Sequence, residues 1–253
     1  MKKRFSILIF VILAASVGFW YFSMSQKKYS LSEYFPLNEN DKYTYNHHEG
    51  GEERIVTITV KDVQKTNEGK QFNFLWEGKY NDRIQALSLS ARGIFLRRNE
   101  HLVGEFPMRS IRTCVPPMVM IPPKLENITL APINYWTYDL KGDLREKEKI
   151  EESISFAGFE DVNVEAGKFK CIHFFERHNY KDELNNSKHM HIYDFWIAPN
   201  VGIVKFVHAF IPFMYMRYIS PDKKTIMNRY SGFFVEIFEL KKADIGGKVI
   251  GAK

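Results

Sequence analysis

Histidines are the clearest candidates for chemistry in this sequence. His189 and His191 are two residues apart in a segment of β-strand composition, so both side chains lie on one face of the strand. His178 lies on the preceding predicted strand, across a hairpin loop at 181–188. Three imidazoles within reach of one another would suit zinc, but the spacing places no fourth ligand. The alternative, which we favour, is a solvated hairpin end that binds no metal.

A second pair of reactive residue types occupies one predicted strand. Cys171 and His173 share a strand face and would form a thiolate–imidazole pair if an acid oriented the ring. No such acid can be identified, and the chain has neither a Gly-x-Ser-x-Gly elbow nor a glycine-rich phosphate loop. The sequence therefore predicts a protein that is not an enzyme and needs no cofactor. Zinc-dependent hydrolysis through the three histidines is the remote alternative.

Methionine and aromatic residues in two proline-containing segments are candidates for binding. The segments are 106–123 and 206–218. Flexible Met side chains beside aromatic rings line adaptable clefts and partner surfaces. The alternative is that both segments are core and cover the open end of a barrel, because long apolar loops must be buried somewhere. The predicted ligand or partner surface consists of Met118, Met120, Phe210, Phe213, Met214, Tyr215 and Met216.

The elements that position these residues are predicted to be β-strands. Apolar and polar residues alternate through 54–60, and Gly, Asn and Asp mark the turns between such stretches. Similar landmarks recur in the same order along the chain. They are aromatic-Thr-Tyr at 43–45 and 136–138, Gly-Lys at 69–70 and 167–168, and Gly-Ile at 93–94 and 202–203. We predict an all-β, mainly antiparallel fold in which two duplicated β-meander modules form a curved sheet or barrel.

The predicted organisation has five parts. Segment 106–123 is too rich in proline for a central strand, so it is predicted to link the two modules. The last residues have no clear pattern and are predicted to be loose. The parts are a signal peptide or N-terminal membrane anchor (1–25), a tether (26–33), β module 1 with the Pro/Met-rich linker (34–123), β module 2 (124–242) and a loose tail (243–253).

The N-terminus predicts the compartment. Lys2, Lys3 and Arg4 precede an uncharged apolar run at 5–22, which predicts one hydrophobic helix. Small residues within the run would permit signal-peptide cleavage, whereas the aromatic residues at 19–22 favour an uncleaved anchor. Either way the positive-inside rule places the rest of the chain outside the cytoplasm. We expect a bacterial cell-envelope protein, anchored in the inner membrane or released into the periplasm.

Charge and cysteine content narrow the set of partners. The chain has 253 residues and a net charge of +6 that is spread along its length, which argues against nucleic acid. Cys114 and Cys171 are the two cysteines, and an exported protein permits a disulfide between them, although isolated cysteines often act as small buried apolar residues. The expected partners are the membrane, through the N-terminal helix, and an envelope protein or a lipid.

Several segments resemble a known group of proteins. These are Tyr-Phe-Pro-Leu at 34–37, Val-Glu-Ala-Gly-Lys-Phe-Lys-Cys at 164–171 and Phe-Trp-Ile-Ala-Pro-Asn-Val-Gly-Ile-Val-Lys at 195–205. The chain resembles uncharacterised exported bacterial β-rich proteins and lipoproteins with a W-x-Y … AG-x-F … FW-x-APGVG-x-V pattern. Two departures are Asn200, where that group has Gly, and the absence of a lipidated Cys. The resemblance implies an extracytoplasmic curved sheet or barrel, similar to lipoprotein-carrier half-barrels, and it implies no reaction.

These observations lead to two hypotheses about function. The first is a non-enzymatic, membrane-anchored extracytoplasmic β protein that binds a partner protein or an apolar, lipidic ligand through its Met/aromatic loops. The second is a structural or assembly component of the cell envelope that binds no small ligand. Bound lipid would distinguish the first from the second.

Overall fold

Antiparallel strands make up almost all of the regular structure. The computed structural model describes residues 30–78, 82–101, 110–138, 144–183, 186–212 and 234–251. The strands are β1 (Lys42–Glu49), β2 (Glu52–Thr66), β3 (Gly69–Glu77), β4 (Arg83–Ser90), β5 (Gly93–His101), β6 (Ser110–Ile121), β7 (Ile128–Thr129), β8 (Ile133–Tyr138), β9 (Leu144–Val164), β10 (Gly167–Asp182), β11 (Lys188–Ala198), β12 (Gly202–Pro212), β13 (Phe234–Ile245) and β14 (Lys248–Gly251).

The sheet closes on itself. Strands β1 to β6 and β8 to β13 pair in chain order, and β1 pairs with both β2 and β13, which closes a 12-stranded barrel. The short β7 adds to β9, and β14 adds to β13. The predicted all-β antiparallel fold is confirmed, as a barrel. The sheet runs continuously through both predicted modules, so the duplication is not confirmed and stays a prediction.

A short helix, α1 (Leu31–Tyr34), and the residues after it pack at one end of the barrel, here called the α1 end. Leu31, Phe35 and Leu37 are buried. Leu31 and the rest of α1 up to Glu33 fall within the segment predicted as a tether. Within the described part of the chain no helix is long and apolar enough to span a membrane. The predicted hydrophobic helix at 5–22 lies outside the described residues.

The turn between β11 and β12 holds α1 in place. Asn200 has a φ of 60° and Gly202 has a φ of 92°, and both values lie in the left-handed region that Gly and Asn tolerate best. The Asn200 N–H donates a hydrogen bond to the carbonyl of Glu33 at 2.7 Å. A Cβ on Gly202 would lie 3.6 Å from the ring of Phe35. The turn within 195–205 therefore seats α1 against the barrel.

Two predictions about chain organisation were wrong. Segment 106–123 was predicted as a linker, but Ser110–Ile121 forms β6, a strand paired on both sides. The β5 pairing jumps from Thr113 to Met118, so Pro116 and Pro117 lie in an irregularity where no ladder N–H is needed. The tail at 243–253 was predicted to be loose, but β13 extends to Ile245 and β14 pairs with it.

The barrel interior differs between its two ends. At the α1 end the inward-facing residues are apolar, as at Tyr43, Ile58 and Leu96. Toward the opposite end, here called the far end, the inner faces of the strands bear Arg, His and Glu side chains such as Arg83 and Glu236. The barrel interior is therefore apolar toward the α1 end and charged toward the far end.

Candidate functional site

The barrel encloses a cavity of about 570 Å³, which is the usual size of a small-molecule site. Its walls are the inner faces of strands around the barrel, and Phe35 and Leu37 contribute at the α1 end. Because it is enclosed by regular strands, the positions of its lining side chains are set by strand register rather than by loops.

The residues predicted as sites from the sequence converge on this cavity. Met118 and Met120 of β6 and Phe210 of β12 line it. The three candidate histidines, His178 on β10 and His189 and His191 on β11, line the same cavity. Phe213, Met214, Tyr215 and Met216 lie outside the described residues. The Met/aromatic surface and the histidine cluster were predicted as two separate sites. In the barrel, the described residues of both line the same cavity.

Two arginines place cationic groups in the cavity wall toward the far end, where Glu148 and Glu236 also line it. The guanidinium of Arg83 lies 3.8 Å from the ring centre of Trp76 and is buried, and burial lowers its pKa. Its Nε atom has no hydrogen-bond partner within the described residues. The guanidinium of Arg112 lies 5.8 Å from the ring centre of Tyr135. The cavity wall thus carries two cationic groups that face enclosed space.

Glu236 and two histidines form a hydrogen-bonded chain across the wall. Nδ1 of His208 lies 2.7 Å from Oε2 of Glu236, and Nε2 of His208 lies 2.7 Å from Nδ1 of His191. Burial alone would raise the pKa of Glu236, but its contacts with His208 and His47 lower it overall. Burial and the nearby His208 lower the pKa of His191, so its imidazole is neutral. Glu236, His208 and His191 are therefore linked by hydrogen bonds to one another.

A second acid–imidazole group, here called the inner cluster, consists of Glu152, Glu176 and His178. All three side chains are at most 1% exposed. Nε2 of His178 lies 3.4 Å from Oε2 of Glu176 and 3.6 Å from Oε1 of Glu152. None of the carboxylate oxygens or ring nitrogens makes a hydrogen bond within the described residues. Glu176 and His178 also face the cavity.

The protonation of the inner cluster follows from its burial. Burial raises the pKa of Glu176 to about 8, although the nearby imidazole opposes the shift. Burial would lower the pKa of His178, but Glu152 and Glu176 outweigh it and raise the pKa to about 9. A buried carboxyl group is thus kept protonated near neutral pH beside an imidazolium.

A third group, here called the outer cluster, consists of His173, Glu160 and Asp194. Nδ1 of His173 lies 2.7 Å from Oε1 of Glu160, and Nε2 lies 2.5 Å from Oδ1 of Asp194. Trp196 stacks on the His173 ring at 4.2 Å and donates its indole N–H to Oε2 of Glu160 at 2.9 Å. Both ring nitrogens of His173 are therefore occupied.

The cysteines take no part in a reactive pair or a disulfide. Cys114 and Cys171 are both buried free thiols. Burial raises the pKa of Cys171 to about 12, which keeps it a thiol. Its sulfur contacts the carbonyl of Phe169 at 3.8 Å, while His173 is held by the two carboxylates. The thiolate–imidazole pair considered from the sequence does not form.

Sequence reasoning missed the charged partners of the histidines. Glu176 precedes His178 by two residues on one strand, so the shared face was visible in the sequence. Glu236, Arg83 and Arg112 reach the cavity, and Glu152 lies opposite His178, only because of how the strands pair. No local signal marks them.

Comparisons with known proteins concern the fold. No protein-family model and no curated protein sequence matches the chain. A solved structure of a protein from Bacteroides fragilis, described as exported and as having a YmcC-like fold, matches with a TM-score of 0.50 and 15% identity, over 85% of this chain and 98% of that chain.

Two further solved structures match less well. A protein from Parabacteroides distasonis, described as a lipoprotein, has a TM-score of 0.42 and 10% identity over 82% of this chain and 98% of that chain. The hypothetical lipoprotein YmcC from Escherichia coli has a TM-score of 0.41 and 9% identity over 86% and 91%. The predicted sequence pattern is not confirmed by these matches. The chain shares its fold with the Bacteroides fragilis protein.

Proposed function

We propose that this chain is a non-enzymatic, extracytoplasmic β-barrel protein of the bacterial cell envelope that binds an amphiphilic ligand inside the barrel. The ligand would have an apolar body and an anionic head group. The observation that carries the proposal is the lengthwise division of the 570 Å³ cavity into an apolar α1 end and a charged far end.

The apolar part of the cavity suits a hydrocarbon body. Ile94 and Leu96 of β5, Met118 and Met120 of β6, and Phe35 all line the cavity. Each methylene group of a ligand that leaves water for such a surface contributes about 0.8 kcal/mol. Methionine side chains adjust their rotamers at little cost, so the wall can fit chains of different shape.

The charged part suits an anionic head group. Arg83 and Arg112 both face the cavity, and Nε of Arg83 is a buried donor that finds no hydrogen-bond acceptor among the described residues. A carboxylate or phosphate at this position would accept a charge-assisted hydrogen bond, the stronger class of such bonds. The neutral His191 beside these residues adds polar surface without adding positive charge.

The proposed compartment rests on the N-terminal sequence and agrees with the fold comparison. The basic residues before the apolar run at 5–22 direct the rest of the chain out of the cytoplasm. The Bacteroides fragilis protein that shares the fold is described as exported. Membrane attachment through 5–22 is part of the proposal.

Native mass spectrometry of the full-length protein tests ligand binding. We expect co-purified species whose masses and fragments identify an amphiphile with an acidic head group. Met120→Trp places a larger side chain in the cavity and should reduce ligand occupancy several-fold. Phe159→Ser is the matched control, because Phe159 is 69% exposed and does not line the cavity, and it should retain the ligand.

The head group is tested by substitution of the arginines. Arg83→Met should lower the affinity for a fatty acid more than that for the fatty alcohol of equal length. Equal affinity of the wild-type protein for the acid and the alcohol would contradict the anionic head group. Folded protein that carries no amphiphile, together with a stable crosslinked protein neighbour, would favour the structural or assembly role instead.

A further inference from the structure

The inner cluster places three ligand atoms of suitable type around one point. One oxygen from Glu152, one oxygen from Glu176 and one nitrogen from His178 all lie within 4.8 Å of one another. We propose that these three residues bind a divalent transition-metal ion, with Zn²⁺ as the best fit, in the wall of the cavity.

The distances between donor atoms fit a metal ion better than they fit hydrogen bonds. Zn²⁺ lies about 2.0–2.2 Å from nitrogen and carboxylate ligands in tetrahedral sites, so neighbouring ligands are about 3.4 Å apart. The two nitrogen–oxygen distances at His178 are 3.4 and 3.6 Å. A strong hydrogen bond between imidazole and carboxylate would require about 2.7–2.9 Å.

The polar atoms of the inner cluster otherwise lack partners. Both oxygens of Glu152, both oxygens of Glu176 and both ring nitrogens of His178 are buried and make no hydrogen bond within the described residues. Buried polar groups are nearly always hydrogen-bonded or bound to metal, and an unsatisfied one costs about 1–3 kcal/mol. A cation between the three side chains would supply the missing partner for one atom of each.

The ligand types indicate the class of metal. An imidazole nitrogen with two carboxylate oxygens suits Zn²⁺ and other first-row transition metals, whereas Ca²⁺ and Mg²⁺ prefer oxygen ligands alone. Three protein ligands leave a fourth position open. Glu176 and His178 line the cavity, so water or a ligand group in the cavity can supply the fourth ligand.

A second group with metal-ligand spacing is less suitable. His47, Glu49 and Glu236 also have ligand atoms within 4.8 Å of one another, but Glu49 and Glu236 are only partly buried. Glu236 already accepts a hydrogen bond from His208 at 2.7 Å. A metal ion there would have to replace a charge-assisted hydrogen bond, whereas in the inner cluster it would replace only the longer contacts of 3.4 and 3.6 Å, since the described residues offer these side chains no hydrogen bond.

The metal site is independent of the proposed ligand. It uses three side chains on β9 and β10 and requires neither Arg83 nor the apolar end of the cavity. Protein without bound amphiphile should still bind the metal. A failure to bind the metal would not count against the proposed binding of an amphiphile.

Calorimetric titration of the full-length, chelator-treated protein with Zn²⁺ tests the site. We expect one tight site per chain in the wild type. Glu176→Gln, which keeps the shape of the side chain, should weaken binding at least about 100-fold, because loss of outer-shell partners alone costs 10–100-fold. His48→Ala is the control for adventitious binding, since His48 lies outside the inner cluster, and it should leave the tight site unchanged.

The spectrum of Co²⁺ bound to the wild-type protein tests the metal site even if a variant does not fold. The intense visible bands of four-coordinate Co²⁺, displaced by one equivalent of Zn²⁺, are expected. Absence of a tight site in folded wild-type protein, a six-coordinate Co²⁺ spectrum, or tight Zn²⁺ binding that persists in folded Glu176→Gln protein would overturn the proposal.

Discussion

Strand β10 carries two buried histidines, and each lies beside two carboxylates. Only one of the two histidines is hydrogen-bonded to its carboxylates. In the outer cluster His173 meets its carboxylates at 2.7 and 2.5 Å, and each ring nitrogen has a partner. In the inner cluster His178 meets its carboxylates at 3.4 and 3.6 Å, and no hydrogen bond forms. The same residue types therefore form a complete hydrogen-bonded network on one face of the sheet and a group without hydrogen bonds on the other.

A β-bulge separates the two clusters. The pairing of β10 with β9 passes from His173–Gly158 to Phe174–Phe156, so Ala157 is an extra residue on β9. Glu160 and Glu152 lie an even number of residues apart on β9, yet they serve opposite faces because the bulge shifts the alternation by one. The bulge thereby brings Glu152 opposite His178.

The largest effect is expected from breaking the outer cluster. Asp194→Ala removes the buried carboxylate that lies 2.5 Å from Nε2 of His173 and leaves only the partly exposed carboxylate of Glu160 beside the buried ring. Removal of one partner from a buried ion pair costs about 3–5 kcal/mol. Urea unfolding in the presence of chelator measures this loss, and a loss below about 1 kcal/mol would show that the network does not stabilise the barrel.

A smaller and pH-dependent effect is expected at Glu236. Its contacts with His208 and His47 lower its pKa below that of an unfolded chain, despite burial. A lowered pKa contributes stability that is present above about pH 4.5 and is lost as the pH falls through the folded-state pKa. Glu236→Gln should therefore cost on the order of 2 kcal/mol at pH 7 and progressively less below pH 4.5. A constant difference across this range would contradict the assignment.

The bulge itself can be tested at Gly158. Its φ of 121° is disfavoured for residues with a Cβ, and an added Cβ would meet nothing within 4 Å. Gly158→Ala should therefore destabilise the protein by about 1–2 kcal/mol through backbone strain alone. Unchanged unfolding free energy would mean that the bulge does not depend on glycine. Gly247→Ala is the matched control. Gly247 also has a positive φ and space for a Cβ, so this variant measures the free-energy cost of backbone strain at a hairpin turn.

The smallest effect on stability is expected within the inner cluster. Burial raises the pKa of Glu176 to about 8, so in metal-free protein at pH 6 the side chain is already neutral. Glu176→Gln replaces one neutral group with another and should change the unfolding free energy by less than about 1 kcal/mol. A loss as large as that of Asp194→Ala would make the two clusters equivalent and would remove the distinction between them.

The sequence predicted the fold better than it predicted the site. Alternation at 54–60 and the Gly, Asn and Asp residues that mark turns led to an all-β antiparallel architecture, and Asn200 and Gly202 have the positive φ values that these two residue types tolerate best. Strand β6 was missed because Pro116 and Pro117 normally exclude a central strand, and only the irregular pairing with β5 accommodates them.

The charged partners of the histidines could not be predicted for a related reason. Regular pairing from the β9–β10 turn would place Ser153, rather than Glu152, opposite His178, with Glu152 on the other face. A single extra residue at Ala157 reverses this, and although the neighbouring Gly158 is of the type that often marks a bulge, it does not show which residue is the extra one. The position of Arg83 likewise depends on closure of the barrel.

X-ray diffraction from crystals of the full-length protein grown with Zn²⁺, recorded on both sides of the zinc absorption edge, tests the central claim most directly. We predict one strong anomalous peak within about 2.0–2.2 Å of an oxygen of Glu152, an oxygen of Glu176 and a nitrogen of His178. The outer cluster should show no peak, because its short contacts leave no space for an ion. An inner cluster without a zinc peak, in crystals that diffract well enough to show its side chains, would contradict the account.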